Sequence, residues 1–249
     1  MTISTTLARQ PGAYEANCGA AGQAIGRHVV SVGFELEGGM GRAELEALEL
    51  FVKGRRLWER YERDVETGLC IRKYHGDLEL RLHSTALAEL FGFLEHAYEI
   101  GGFETNFNCG FHVHIKFEDM PRAASLFSAP SVISEFRQDY EGHFGGVEKY
   151  VGRLSSRHIV HDSIDGKGRG DGIPYNKNSM INISAYRSNG TIEFRILPHQ
   201  STAREAISSL QWIVDTADRL YERHRGNAPD SRLTPEMIES DRLARAKRG

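Results

Sequence analysis

The stretch Phe111-His112-Val113-His114-Ile115 alternates apolar side chains with imidazoles, and this alternation decides the fold. A period of two residues is typical of a β-strand, in which successive side chains point to opposite faces of a sheet. Such a strand places the three apolar side chains on one face and both histidines on the other.

Four further segments share this polar–apolar–polar pattern. They are Glu35-Leu36-Glu37, Glu79-Leu80-Arg81, Asn182-Ile183-Ser184 and Glu193-Phe194-Arg195. If these strands share one sheet, its apolar face packs on helices, and its other face gathers carboxylates, imidazoles and arginines. A face that is only solvated would favour threonine, lysine and serine. The pattern therefore predicts a site for a metal ion and an anion on the polar face.

The composition sets the class of protein. A chain of 249 residues is long enough to bury a sizeable core. With 31 basic and 34 acidic residues the net charge is −3, so we expect neither nucleic acid nor a membrane surface as a partner. We find no secretory signal and no apolar run near the roughly 20 residues of a membrane span. Three widely spaced cysteines without a Cys-x-x-Cys pair fit a reducing cytoplasm.

Helical spacing of apolar residues predicts helices between the strands. The predicted helices cover residues 43–53, 84–99, 121–140 with a break near Pro130, and a long segment capped by Thr202. Residues 57–63 are predicted as a further strand, and residues 180–197 as a hairpin around Asn189-Gly190. The predicted fold class is α+β, a largely antiparallel sheet with helices on one face.

The same patterns divide the chain into three parts. Residues 1–28 lack a clear period and are expected to form a loose or docked arm, and residues 29–224 a single catalytic domain. Residues 225–249 are expected to be a charged tail or a short surface helix. We find no internal repeat.

The two glutamates of Glu35-Leu36-Glu37 point to the same face of their strand, roughly 7 Å apart along the chain. Two carboxylates so close raise each other's pKa unless a cation lies between them. Oxygen ligands suit Mg²⁺ or Mn²⁺. Two exposed glutamates at a strand end are the alternative interpretation. For His112 and His114, we expect one to contact the metal and the other to bind a phosphate or carboxylate.

Arginines and lysines supply candidate anion contacts. Arg195, beside Glu193, suits bidentate capture of a phosphate, although a simple Glu–Arg surface pair is the alternative. Lys116, Lys167 and Arg153 are further candidates for binding the cofactor. Lys167 lies in the glycine-rich segment 165–172, which is either a lid over phosphates or a plain loop.

Three motifs in order resemble the amidoligase family, whose members are carboxylate–amine ligases with a fold like that of glutamine synthetase and glutamate–cysteine ligase. They are Val32-Gly33-Phe34-Glu35-Leu36-Glu37, Cys109-Gly110-Phe111-His112-Val113-His114-Ile115 and Thr191-Ile192-Glu193-Phe194-Arg195 with its long helix. The resemblance covers residues 29 to 224. Two departures affect substrate handling: the family's Asp-x-Ser segment before the central glutamate is not clear, and His83-Ser84-Thr85 replaces its Ser-Pro-Pro.

The resemblance implies a two- or three-ion magnesium site and a phosphate-binding arginine. The implied metal ligands are Glu35, Glu37, Glu79, His112 and Glu193. The resemblance assigns Arg195 to a phosphate of ATP. We predict His114 and Arg81 as further catalytic residues from their place on the polar face, although Arg81 is equally explained as a neighbour that neutralises the carboxylates. The expected reaction joins a carboxylate substrate to an amine, with ATP and Mg²⁺ or Mn²⁺, through an acyl phosphate.

Two other classes of function stay open from the sequence. His112, His114 and Glu193 match the two-histidine, one-carboxylate triad of Fe(II) oxygenases with cupin-like barrels. Alternatively, the chain is a non-catalytic relative that binds a nucleotide or a partner protein, since a fold does not establish an activity.

Overall fold

The computed structural model describes residues 25–39, 43–44, 47–48, 70–74, 77–101, 103, 105, 109–154, 179–226 and 233–246. Its strands are β1 (Val29–Gly38), β2 (Cys70–Tyr74), β3 (Asp77–Ser84), β4 (Gly110–Phe117), β5 (Ile181–Asn182) and β6 (Ile192–Pro198). They form one sheet in the order β2-β3-β1-β4-β6-β5, and neighbouring strands pair antiparallel. The predicted α+β class with a largely antiparallel sheet is therefore confirmed.

Helices follow most of the strands along the chain. They are α1 (Leu87–Glu99), α2 (Met120–Leu126), α3 (Pro130–Phe144), α4 (Glu148–Leu154), α5 (Ala185–Asn189), α6 (Ala203–His224) and α7 (Pro235–Ala246). Helix α1 contacts β3, and α6 contacts both β1 and β4. Helix α4 contacts β6, so it lies beside the strand that carries Glu193.

The apolar positions of the three central strands form the core. Phe34, Phe111, Val113 and Phe194 are fully or almost fully buried. The rings of Phe34 and Phe111 lie 5.5 Å apart across β1 and β4, within the distance of a favourable aromatic pair. Because a shift of one residue would exchange the two faces of a strand, this core fixes which side chains reach the polar face.

The register then places the polar residues in rows across the sheet. Glu35 on β1 is opposite Arg81 on β3 and His112 on β4. On β4 the next residue of this face, His114, is opposite Gly33 and Glu193. The candidate ligands therefore become neighbours through strand pairing.

Strand β6 contains a β-bulge at the centre of the sheet. Phe111 pairs with Leu197, but Val113 pairs with Phe194, so Arg195 and Ile196 together oppose the single residue His112. The backbone N–H of Arg195 donates to the carbonyl of Met180 at 2.9 Å. A bulge of this kind bends a strand and changes the direction of a side chain, here that of Arg195.

The predicted hairpin over residues 180–197 is wrong in its first half. Only Ile181–Asn182 is a strand, and the chain then turns into helix α5. The Asn182 side-chain oxygen accepts hydrogen bonds from the Ser184 N–H at 3.0 Å and from the Ser184 hydroxyl, which starts a turn that ends the strand. Gly190 ends α5 with a left-handed φ of 68°, so Asn-Gly is a helix terminus and not a hairpin turn.

Other predicted elements are found close to their expected positions. The break near Pro130 separates α2 from α3, and Thr202 caps α6 by accepting from the Glu205 N–H at 3.2 Å. The Ser84 hydroxyl accepts from the Ala86 N–H at 3.0 Å just before α1. Residues 43–44 and 47–48 are helical, whereas the rest of the predicted helix 43–53 and all of 57–63 lie outside the described residues.

The segment after Arg225 includes helix α7, which packs on α2. Ile238 is fully buried, and the carbonyl of Leu233 accepts a hydrogen bond from the Ser125 hydroxyl. This helix is therefore docked on the domain. None of the described helices is both long enough and apolar enough to cross a bilayer.

A buried histidine joins the start of β1 to the last turns of α6. His28 Nδ1 lies 2.6 Å from Glu118 Oε1, and its Nε2 contacts the Glu222 carboxylate. Its backbone N–H donates to Asp218 at 2.9 Å. The two carboxylates contact opposite sides of one ring, so His28 bridges Glu118 and Glu222.

Replacing His28 with glutamine should therefore lower the free energy of unfolding by about 2 kcal/mol, because a buried polar side chain loses both of its carboxylate partners. Arg27→Gln is the matched control, since Arg27 is exposed and its pair with Glu222 should contribute less than about 1 kcal/mol. Urea unfolding of the two variants measures both effects. Equal losses would contradict the bridge.

Candidate metal and anion site

Glu35, His112 and Glu193 form a buried cluster, called the metal group because it could hold a metal ion. Its potential ligand atoms all lie within 4.8 Å of one another. His112 Nδ1 is 3.3 Å from Glu35 Oε2 and 3.6 Å from Glu193 Oε1. The three residues come from β1, β4 and β6, which are neighbours in the sheet. Two carboxylates and one imidazole directed at one point are a donor set that fits a divalent cation.

The charges of this group are linked. Burial raises the pKa of the Glu35 carboxyl, but hydrogen bonds and positive charge from His112 and His114 outweigh burial and hold that pKa well below its usual range. Burial opposes ionisation of Glu193 too, yet His114, His112 and Arg195 lower its pKa. Both carboxylates are therefore ionised at neutral pH, which is the state that binds a metal.

His114 contacts the group from the next position along β4. Its Nε2 lies 3.3 Å from Glu35 Oε1, and its Nδ1 lies 3.0 Å from the Thr191 hydroxyl. The hydroxyl fixes the orientation of the ring, so His114 holds the second oxygen of Glu35. His114 therefore lies beside the candidate ligand Glu35 and orients it, as residues around metal sites orient carboxylate ligands.

The other side of Glu193 is held by an asparagine that sequence reasoning did not select. Asn182 Nδ2 donates to Glu193 Oε2 at 2.6 Å, and both residues are buried. The same asparagine side chain accepts from Ser184 through its oxygen, which fixes the amide orientation. Asn182-Ile183-Ser184 matched the strand pattern, but its Asx-turn spacing was the signal for this role.

Arg195 and Arg153 bring positive charge to the site. Arg195 Nη1 donates to Glu193 Oε1, so the Glu–Arg pair considered as the alternative forms, beside the metal group and not on an open surface. Arg153, on α4, is buried on the side of Glu37 and Gly110. Both arginines lie close enough for Arg195 to lower the pKa of Arg153, an effect that adds to the larger effect of burial.

Glu37 is near the metal group but is not part of it. Its Oε2 accepts the backbone N–H of Gly110 at 2.5 Å. This contact connects the end of β1 to the beginning of β4. The structure therefore brings together Glu35, His112 and Glu193 from the predicted metal ligands and places Glu37 beside them.

The remaining predicted residues lie farther away or outside the described side chains. Lys116 is exposed near the far end of β4. Glu79 and Arg81 are opposite Glu37 and Glu35 in the backbone register of β3, but their side chains are not among those described. Lys167 lies outside the described residues.

A further histidine, His83, contacts a serine on the neighbouring strand β1. His83 Nε2 is 3.1 Å from the Ser31 hydroxyl, and Gly33 leaves the space into which the imidazole fits. Burial, together with the charges of His114 and Lys116, lowers the pKa of His83 to about 4. His83 is therefore neutral at neutral pH.

This pKa gives a pH dependence of stability. As the pH falls from about 6.5 towards 4, the unfolded chain takes up a proton on His83 before the folded chain does, so the folded state loses stability in that window. Between pH 6.5 and 4.5 the free energy of unfolding of the wild type should fall by about 2 kcal/mol more than that of the His83→Gln variant. Urea unfolding at both pH values measures the difference. If the wild type and the variant lost equal free energies of unfolding, His83 would have the same pKa in the folded and unfolded states, which would contradict the prediction.

In comparisons with known proteins, no protein-family model matches this chain, and no curated protein sequence is significantly similar to it. The function is therefore inferred from the site.

The site geometry separates the two ligand sets considered from the sequence. The three clustered residues are one histidine and two carboxylates, Glu35, His112 and Glu193, whereas the oxygenase triad would take His114 in place of Glu35. His114 directs Nδ1 to Thr191 and Nε2 to Glu35. The described strands also form an open sheet. The cluster found among the described residues is therefore not the two-histidine, one-carboxylate set.

Proposed function

We propose that this protein is an ATP- and Mg²⁺-dependent carboxylate–amine ligase with a catalytic domain like that of glutamine synthetase. The observation that carries the proposal is the buried group of Glu35, His112 and Glu193 with Arg195 attached to it. Its position on the polar face of an open antiparallel sheet agrees with the motif order that resembles the amidoligase family. Mn²⁺ is the alternative ion.

The chain's own residues suit phosphoryl transfer. This reaction needs charge neutralisation and positioning more than it needs a protein nucleophile. Arg195 already contacts one oxygen of Glu193 and is placed to bind a phosphate oxygen beside that carboxylate. Bound at Glu35, His112 and Glu193, Mg²⁺ would neutralise the negative charge of the nucleotide phosphates.

Burial of the site supports the same reaction. His112 and Glu193 are each at most 5% exposed although they lie on the polar face of the sheet. An acyl phosphate hydrolyses in water, so a site that excludes water favours its capture by an amine. His114 and Thr191 keep the Glu35 carboxylate in place from behind.

Two measurements test the proposal. Thermal unfolding with Mg²⁺, ATP and both together should show a large shift only with both, because a ligand at about 100 times its dissociation constant adds about 2.7 kcal/mol. A mixture of carboxylic acids with hydroxylamine as the amine should then release ADP and form a hydroxamate. Hydroxylamine reports an acyl phosphate without requiring the natural amine.

The other outcomes identify the alternative functions. Stabilisation by Fe²⁺ without any effect of ATP would contradict the ligase and support the oxygenase. Stabilisation by Mg²⁺ with ATP, but no ADP release with any carboxylate, would indicate a non-catalytic nucleotide-binding protein.

A further inference from the structure

Three buried nitrogen atoms near the metal group have no hydrogen-bond partner among the described residues. They are Arg153 Nε, Arg195 Nε and His112 Nε2. Arg153 is 6% exposed and His112 is 2% exposed. A buried polar group without a partner costs free energy, and the cost is larger when the group is charged. Such atoms therefore indicate a partner that the described residues do not provide.

Two of these side chains meet at Gly110. A Cβ atom added to Gly110 would lie 2.6 Å from Arg153 Nη2, 2.8 Å from His112 Nε2 and 3.3 Å from Glu37 Oε2. The guanidinium and the imidazole nitrogen are thus close enough to contact one oxygen atom between them. The absence of a side chain at position 110 is what permits this approach.

The local charge favours an anion. Burial lowers the pKa of Arg153, and Arg195 lowers it further, while Glu37 opposes both effects. One oxygen of the Glu37 carboxylate accepts a hydrogen bond from the Gly110 N–H. Arg195 is close enough to lower the pKa of Arg153, so the two positive charges repel each other, and an anion bound beside them would reduce this repulsion.

His112 has a different role on each side of its ring. Its Nδ1 faces Glu35 and Glu193, and its Nε2 faces Gly110 and Arg153. A metal held at Nδ1 would leave Nε2 as the N–H donor, because a neutral imidazole carries one ring proton. Without a metal, Arg153 and Arg195 supply the charge that attracts an anion. The metal group and the space beside Arg153 are therefore adjacent, with His112 between them.

We propose that Arg153, Arg195 and His112 Nε2 form an oxyanion pocket, beside the metal group, that binds a carboxylate or phosphate group. The pocket rests on the proposed function only for the source of this anion, which would be the carboxylate substrate or a phosphate of the nucleotide. The planar guanidinium of Arg153 suits two oxygens of one such group.

Binding of simple anions without Mg²⁺ or nucleotide tests the pocket. The probes are orthophosphate and pyrophosphate for the phosphate source, and acetate and glutamate for the carboxylate source. At least one probe should raise the unfolding temperature of the wild type, and its dissociation constant by calorimetry should increase at least tenfold in Arg153→Gln. Arg219→Gln is the matched control, because Arg219 is exposed and pairs with Asp139.

A competition experiment distinguishes the two sources. With Mg²⁺ and a non-hydrolysable ATP analogue present, a phosphate probe that is displaced assigns the pocket to the nucleotide. A carboxylate probe that still binds assigns it to the substrate.

The proposal is overturned if no probe binds the wild type, or if Arg153→Gln binds every probe as tightly as the wild type does. In the second case Arg153 is a structural partner of Glu37. If Arg153→Gln does not fold, Arg153→Lys and Arg195→Gln replace it, since each should weaken binding of the probe at least tenfold. Because binding of the probes to the wild type and to the variants is measured without Mg²⁺ and without turnover, the pocket and the ligase activity can fail independently.

Discussion

Glu193→Gln should weaken binding of Mg²⁺ or Mn²⁺ about a hundredfold and remove the stabilisation by Mg²⁺ with ATP. The substitution preserves the shape of the side chain but removes one of the two negative charges in the metal group. It also replaces one carboxylate oxygen by an N–H₂ group, which only donates. The single remaining oxygen cannot accept the hydrogen bonds of both Asn182 and Arg195. The remaining donors, Glu35 and His112, are too few to hold the ion tightly.

Binding of Mn²⁺, followed by its paramagnetic resonance signal or by calorimetry, measures this effect directly. Glu141→Gln is the matched control, because Glu141 is exposed on α3 and pairs with Arg137. Asn182→Ala should have a smaller effect of about tenfold, because Asn182 orients the ligand and does not supply one. Unchanged Mn²⁺ binding in a folded Glu193→Gln protein would contradict the metal site.

Gly110→Ala should also disrupt the site, although it adds only a methyl group. The new Cβ would lie 2.6 Å from Arg153 Nη2 and 2.8 Å from His112 Nε2, distances that real Cβ contacts essentially never show. Arg153 and His112 must therefore move, and His112 then moves away from Glu35 and Glu193. We expect a loss of about 2 kcal/mol of stability and at least a tenfold loss of Mn²⁺ binding.

Gly142→Ala provides the matched control for this substitution. Gly142 lies in α3, and a Cβ there has no atom within 4 Å. Alanine should stabilise that helix by about 0.5–1 kcal/mol, because glycine is the more flexible residue in the unfolded chain. Urea unfolding and Mn²⁺ titration compare the two variants. If Gly110→Ala bound Mn²⁺ normally, the close contacts at Gly110 would not be needed for the site.

The alternation of apolar and polar residues was enough to predict the central strands and the side chains on their polar face. Glu35, His112 and Glu193 were each expected on that face, and strand pairing brings them together. Periodicity succeeds here because the apolar side chains, such as Phe111 and Val113, must be buried together. Residues from separate strands then have little freedom in where they lie.

The sequence pattern could not predict features that depend on the exact register. The bulge at Arg195 and Ile196 adds one residue against His112, and alternation alone does not reveal it. The turn at Asn182 ends a strand that the pattern extended to Tyr186, because a side-chain hydrogen bond outweighed the preference of Ile183 for a strand. Which neighbour supports Glu193 was therefore also unpredictable.

The distribution of the metal ligands along the chain has a consequence for biosynthesis. Glu35 and His112 are separated by 77 residues, and a similar length follows before Glu193. An emerging polypeptide therefore cannot assemble the full donor set until most of it has been translated and the central strands have paired. Truncated or misregistered chains would lack the site altogether. Uptake of the ion would then report that the sheet has been completed correctly.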